Sequence, residues 1–230
     1  MEKTRYTTAV ILAAGIGSRF SADFPKQRAL LCGKSLIRRA AEAFGACDDV
    51  DSIVVVTRSE DVDFVNSELR FLDKKLYAVV IGGKCRAESA KLGFAAIPRE
   101  TTHVAIHDGA RCIISPSDVS RVIRESHVSG AASAVAVVTD TVKRYNGKHI
   151  CGTIPRDEVA LAQTPQAFSV DIYKAALSET EDVFSVTDDN MLVEKLGISI
   201  SAVLLKEPNP KITYESDLEY AEFLLTRREK

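Results

Sequence analysis

Short β-branched runs alternate with segments of helical period along most of this chain. Thr8–Leu12, Ser52–Val56, Leu76–Ile81, Thr102–Ile106 and Ser133–Val138 are apolar at successive rather than alternate positions, the pattern of strands buried on both faces. Between them, Ser35–Phe44 places Leu36, Ile37, Ala40, Ala41 and Phe44 on one helical face. Asp61–Phe71 does the same with Val62, Val65 and Leu69, and Arg86–Ala96 with Ala90, Leu92, Gly93 and Ala96. Ser117-Asp118 offers a cap for a helix through about Ser126, which Gly130 would end. Further on, the pattern predicts helices at Val170–Leu177, Asp188–Leu196 and Ser216–Arg227 and a strand at Ser199–Leu204. Such alternation predicts an α/β fold, a mostly parallel sheet covered by helices on both faces, whose carboxyl strand ends form small-molecule sites.

One stretch breaks the rhythm. Asn146-Gly147 between Thr141–Tyr145 and Lys148–Cys151 predicts a β-hairpin closed by a type I′ turn. A two-stranded hairpin alone is marginal in water, so an arm at about residues 139–155 calls for a packing partner, and a second copy of the chain is the obvious one. No repeat, low-complexity tract or linker divides the sequence, so a single domain over 1–230 carrying this arm is expected.

Composition narrows the function classes. The 230 residues are 46% hydrophobic and 27% charged, and Lys plus Arg number 30 against 32 Asp plus Glu. A net charge of -2, with no basic stripe interleaved with aromatics, argues against nucleic acid or an anionic membrane surface as partner. No apolar stretch approaches the roughly 20 residues that a membrane span requires. The N-terminal residues lack the zones of a signal peptide, so a cytoplasmic protein is expected. Cys32, Cys47, Cys85, Cys112 and Cys151 are odd in number, widely spaced and without a C-x-x-C pair, which suggests buried or idle thiols and no zinc site.

The segment with the most chemistry follows the first strand: Ala13-Ala14-Gly15-Ile16-Gly17-Ser18-Arg19-Phe20, then Pro25-Lys26-Gln27. Gly15 and Gly17 let the backbone wrap a ligand and present N–H groups to phosphate oxygens, and Arg19 and Lys26 add fixed positive charge. A tight strand-to-helix turn with solvated charges is the bland alternative. A dinucleotide fingerprint would need glycine where Phe20 stands, and a P-loop built on Gly33-Lys34-Ser35 would need it where Arg28 stands, so neither motif is present. His107 ends a buried strand and reads as structural; His103, His127 and His149 show no metal-binding pattern.

These pieces do not stand alone. With Ala13–Arg19, Pro25-Lys26-Gln27, Gly82–Ser89, His107–Arg111, Asp140–Lys143, Gln163-Thr164-Pro165-Gln166 and Thr187-Asp188-Asp189 in this order, nearly the whole chain resembles the 2-C-methyl-D-erythritol 4-phosphate cytidylyltransferase family. The resemblance implies a Rossmann-like sheet of the nucleotidyltransferase type and transfer of a cytidylyl group from CTP to a sugar-alcohol phosphate, with Mg²⁺ bound mainly through the CTP phosphates. It makes Arg19 and Lys26 the catalytic pair that stabilises the extra charge as the α-phosphorus becomes five-coordinate. It gives base recognition to Ala13, Ala14, Gly82, Gly83 and Ser89. Asp108, Arg111, Thr141, Arg156, Thr164, Thr187 and Lys211 go to the acceptor, the arm reaching across a homodimer to complete that site. No general base is required, because a phosphate monoester with a second pKa of about 6 is already largely dianionic at neutral pH.

Close relatives, the ribitol-5-phosphate cytidylyltransferases, share several of these motifs. The chain departs from the usual pattern at Gly109, Cys112, Val137, Asn190-Met191, Pro210 and Glu215, mostly on the acceptor side, while Thr187 keeps a threonine where ribitol-type enzymes tend to carry serine. A non-catalytic nucleotide-binding protein would have less reason to retain both Arg19 and Lys26.

Overall fold

The computed structural model describes residues 5–21, 24–180, 182 and 185–228. Its centre is a seven-stranded sheet of β1 (Thr7–Leu12), β4 (Ser52–Thr57), β5 (Leu76–Ile81), β6 (His103–Asp108), β7 (Ala131–Val137), β10 (Ala160–Ser169) and β11 (Ser201–Leu204). The spatial order is β11-β7-β10-β6-β1-β4-β5, and every neighbouring pair is parallel except those that β10 makes with β6 and β7. Two small hairpins stand outside it: β2 (Leu30–Leu31) with β3 (Lys34–Ser35), and β8 (Val142–Tyr145) with β9 (Ile150–Ile154).

Of the apolar runs predicted to be strands buried on both faces, those of β1, β4 and β6 are so because helices cover both sides, whereas β5, at the sheet edge, is only partly buried, with Tyr77 and Ile81 exposed. On β1, Ala9 and Ile11 point to one core, shared with Leu36, Ile37 and Phe44 of α1 (Leu36–Gly45) and Val119, Val122 and Ile123 of α4 (Pro116–Ser129). Val10 and Leu12 point to the other, which holds Ala87 and Ala90 of α3 (Arg86–Ala95), Tyr173 of α5 (Val170–Ser178), and Leu192 and Val193 of α6 (Asp189–Glu194). The remaining helices are α2 (Val62–Glu68) and α7 (Ser216–Arg228), the latter resting Leu218, Leu224 and Leu225 on the first core.

Several expectations are corrected. The long strand β10 was not foreseen, because polar Gln163–Gln166 with Pro165 interrupts its apolar ends; the register indeed shifts between Ala162 and Gln166. Helix α4 starts two residues early, capped by Ser115 with Pro116 in its first turn, and ends as expected at Gly130, which takes a left-handed conformation. Helix α2 ends at Glu68, and a tighter 3₁₀ stretch over Arg70–Lys75 replaces its last turn, with Asp73 at φ +46°. The arm exists, but its turn is not type I′: Tyr145 pairs with Ile150 across a four-residue loop, and only Gly147 in that loop has positive φ. Asn146 closes the loop instead, its Oδ1 accepting from the backbone N–H groups of Lys148 and His149.

Candidate functional site

From β1 the chain builds outward through β4 to β5, then crosses back to place β6 on the other side of β1. That reversal leaves a crevice outside the carboxyl ends of β1 and β6, where open α/β sheets bind ligands. A cavity of about 470 Å³ lies there.

Its first wall is the glycine turn after β1. The Ala13 N–H donates to the Val56 carbonyl at 2.7 Å, and the chain then leaves the sheet through Ala14, Gly15, Ile16 and Gly17. Gly17 has φ +70°, and a Cβ there would stand 3.0 Å from the Lys26 Cβ, so another residue would both strain the backbone and displace Lys26. The Lys26 Nζ donates to the Ile212 carbonyl at 3.0 Å. Burial first, then neighbouring Lys211, lower the Lys26 pKa from its ordinary value against the pull of Asp108. Arg19 stands exposed on the same loop.

The second wall follows β5. The Gly82 N–H donates to the Thr57 carbonyl at 2.8 Å, and a Cβ on Gly82 would fall 2.3 Å from the Ala14 Cβ and 2.9 Å from the Ser89 Oγ. The two turns therefore close on each other only because residue 82 lacks a side chain. Ser89 Oγ accepts from the Gly83 N–H at 3.1 Å and donates to the Cys85 carbonyl at 2.9 Å, which fixes the turn ahead of α3. Gly82→Ala is expected to destabilise the fold by about 1–3 kcal/mol and to weaken CTP binding. Calorimetry with CTP and a thermal melt check it; a variant with wild-type values in both contradicts this packing.

The third wall is the end of β6. Leu12 and Asp108 are register partners, and the buried Asp108 carboxylate accepts from Arg86 Nε at 2.9 Å and Lys211 Nζ at 2.7 Å. Burial pushes its pKa up, but the Arg86 and Lys211 charges outweigh that and hold it well below the usual carboxylate range. Arg86 also donates through Nη1 to the fully buried Asp189 at 2.7 Å. Behind Asp108, polar groups form a directed chain. The Asp108 N–H donates to Thr164 Oγ1 (3.0 Å), whose hydroxyl donates to His107 Nδ1 (3.0 Å), and His107 Nε2 donates to the Arg111 carbonyl (3.1 Å).

His107 is structural, as its position at the end of a buried strand suggested. Fully buried, it is pushed from 6.5 to about 4, chiefly by desolvation. An unfolded imidazole binds its proton at higher pH than the folded one. Stability from this residue is therefore intact above about pH 6.5 and is lost as pH falls toward 4, by about 3 kcal/mol in all. Melting temperatures across that range should fall more steeply for the wild type than for His107→Gln, and parallel curves would refute the assignment.

The residues singled out from the sequence divide in two. Ala14, Gly15, Gly17, Arg19, Lys26, Gly83, Ser89, Asp108 and Lys211 line the cavity. Ala13 is buried beneath it, and Gly82 lies behind Ala14. Thr164 is also buried, its hydroxyl occupied by the Asp108 N–H and His107, so it supports the β6 end instead of lining the cavity. Arg111 is a second supporting residue, its Nη1 donating to the Asn209 carbonyl at 2.9 Å; its Nε is buried with no hydrogen-bond partner among the described residues. Thr187 is exposed just before α6, its hydroxyl 2.9 Å from the Met191 sulfur, and the helix cap beside it is Asp188. Thr141 and Arg156 are exposed at the base of the arm, outside the cavity, where Arg156 Nη1 donates to the Thr139 carbonyl at 2.6 Å. Arg86 was missed, as was Gln27, which is buried in the wall with Oε1 unpartnered among the described residues. Arg86 did carry a signal. As the first residue of α3 it stands at the positive end of a helix dipole, which disfavours a cation unless a carboxylate is brought to it.

Arg19, Lys26, Lys84, Arg86 and Lys211 line one cavity in which Asp108 is the sole carboxylate among the described residues. A glycine-walled, cation-rich cleft at the switch point of a mostly parallel sheet suits a phosphorylated ligand such as a nucleotide, in a Rossmann-like α/β architecture. Known proteins agree: the family model for 2-C-methyl-D-erythritol 4-phosphate cytidylyltransferase matches residues 7–227. The chain belongs to that family. It is 35% identical to the enzyme of that name from Azoarcus sp. (strain BH72), covering 96% of this chain and 94% of the relative. It is 38% identical to the one from Chromobacterium violaceum, covering 96% and 99%. Among solved structures, 4-diphosphocytidyl-2C-methyl-D-erythritol synthase from Anaerococcus prevotii superposes with a TM-score of 0.86 at 26% identity, covering 97% of each chain.

Proposed function

We propose that this chain transfers a cytidylyl group from CTP to 2-C-methyl-D-erythritol 4-phosphate. An acceptor phosphate oxygen attacks the α-phosphorus, the bond to the bridging oxygen of the β-phosphate breaks, and pyrophosphate leaves. The observation that carries this reading is the set of five basic side chains around one cleft, which suits a triphosphate and a phosphomonoester that repel each other. With their N–H groups taken by the Thr57 carbonyl and Ser89 Oγ, Gly82 and Gly83 offer backbone carbonyls to the amino edge of cytosine, and Arg19 and Lys26 oppose the charge that grows at the α-phosphorus. Lys211 and Asp108 suit the acceptor, one its phosphate and the other its hydroxyls.

Magnesium belongs to this reading as a companion of the nucleotide. Among the described residues, no group of three or more His, Cys, Asp or Glu side chains could hold a metal ion, and Asp108 already carries two ion pairs. That donor set fits an ion held mainly by triphosphate oxygens with Asp108 as the nearby protein carboxylate, and when bound it would neutralise phosphate charge.

The reading extends to a cytoplasmic homodimer joined through the β8–β9 arm. No helix among the described residues is long and apolar enough to cross a membrane. Tyr145 and Ile150, at the arm's tip, are 68% and 69% exposed, an apolar pair that a second subunit would cover. Ile150→Glu is expected to shift the protein toward monomer in sedimentation velocity and to lower activity with it; an unchanged dimer removes the arm from the interface.

Pyrophosphate release from CTP and Mg²⁺ tests the function, comparing 2-C-methyl-D-erythritol 4-phosphate with D-ribitol 5-phosphate. Turnover with the first alone is expected. Turnover with ribitol phosphate alone would move the assignment to the ribitol-type relatives.

A further inference from the structure

We propose that Arg86 is a positioning residue that fixes the Asp108 carboxylate for the acceptor, with Asp189 and Tyr173 as the mount that holds Arg86; this rests on the reading of Asp108 as an acceptor contact. Arg86 is dipole-disfavoured at the start of α3, yet its side chain is only 23% exposed and is directed at two carboxylates on different elements. Nε addresses Asp108 at the end of β6, and Nη1 addresses Asp189 at the start of α6. Because a guanidinium is planar and rigid, fixing Nη1 on Asp189 also fixes the line along which Nε meets Asp108.

The mount is immobile for reasons independent of the cavity. Asp189 is fully buried, accepts from the Tyr173 hydroxyl at 2.6 Å and donates its own N–H to Gln166 Oε1 at 2.8 Å. Tyr173 is itself fully buried, stacked on Phe168 at 5.4 Å and edge-on to Phe94 at 4.9 Å. Order therefore passes from the aromatic core through Tyr173 and Asp189 to Arg86 and so to the cavity. Asp108 has its other oxygen on Lys211, a flexible and 40% exposed side chain, so the Arg86 side is the rigid half of the clamp. Lysine cannot replace Arg86, since an ammonium on a flexible stem cannot hold both carboxylates in one plane.

The test uses the full-length enzyme and its Arg86→Lys, Asp189→Asn and Tyr173→Phe variants, with thermal melts, CTP calorimetry and steady-state kinetics on each. Arg86→Lys is expected to leave CTP affinity within about threefold while raising the acceptor KM about tenfold or more. Tyr173→Phe, which keeps the ring packing, should shift the acceptor KM in the same direction and add little in the Arg86→Lys background. Variants that lose melting temperature and kcat while the acceptor KM stays put would overturn the proposal, as would an equal loss of CTP affinity. Failure of the wider reading shows separately, as a wild-type enzyme that uses neither polyol phosphate. The mount is then judged from the Arg86 Nε–H resonance in NMR, protected from exchange in the wild type and exposed in Asp189→Asn and Tyr173→Phe. Unchanged protection in those variants overturns it.

Discussion

Arg19→Ala is expected to lower kcat by about 10²–10³-fold while CTP affinity changes by less than about tenfold. The asymmetry follows from where charge grows. Other cations line the cleft, Lys26 and Lys84 among them, so the loss of Arg19 leaves ground-state binding largely supported. As the α-phosphorus becomes five-coordinate, its equatorial oxygens gain charge that only the cations beside them can oppose. Lys26→Ala should behave alike, and the double variant should cost less than the product of the two, because both side chains act on one developing charge. Lys26 is the more tightly placed of the pair, its Nζ on the Ile212 carbonyl, whereas Arg19 stands exposed. Single-turnover pyrophosphate release with CTP calorimetry separates the two quantities. A variant that lost affinity and turnover equally would mean that these cations bind the nucleotide and do nothing further at the transition state.

Asp108→Asn carries the second large effect, on stability and chemistry together. The substitution leaves Arg86 and Lys211 facing a neutral amide in a buried position, with Lys26 close by. Breaking a buried pair costs about 3–5 kcal/mol, and the partial exposure of Lys211 places this site near the lower end. The pH dependence has a definite sign. A carboxyl whose folded pKa is depressed adds stability that is complete above the unfolded value of about 3.9 and fades as pH falls below it. The variant should lose that part of the acid dependence of unfolding. Its activity should also fall earlier on the alkaline side, because Asp108 is the charge that most raises the Lys26 pKa against burial and Lys211. Chemical denaturation from pH 3 to 7 and a pH–rate profile read the two effects. A variant as stable as the wild type at pH 7 would show that the clamp contributes nothing net.

Much of this protein was legible in the chain because its signals are local. Apolar runs such as Ser52–Thr57 become strands buried on both faces wherever helices cover both sides, and the alternation of runs and helices then restricts the topology. Gly15, Gly17, Arg19 and Lys26 could be read as a phosphate cradle because glycine and fixed charge in one short loop state their use without a distant partner. The strand β10 was hidden because Gln163–Gln166 gain their value from neighbours far away in sequence: Gln166 serves the start of α6, and Thr164 serves His107 and Asp108. Thr164 and Arg111 look like ligand contacts in a motif, and their hydrogen bonds to the Asp108 N–H and the Asn209 carbonyl likewise join segments distant in sequence.

What the sequence by itself determined is the alternating α/β frame, the glycine turn with its two cations and the existence of an arm, since each follows from the conformational freedom or hydrophobic period of consecutive residues. Only the tertiary structure decided that Arg86, Asp108, Asp189 and Lys211 form one network. Directly bonded partners in it lie up to 103 positions apart, and a charge finds its partner through sheet order and burial, which no local pattern encodes.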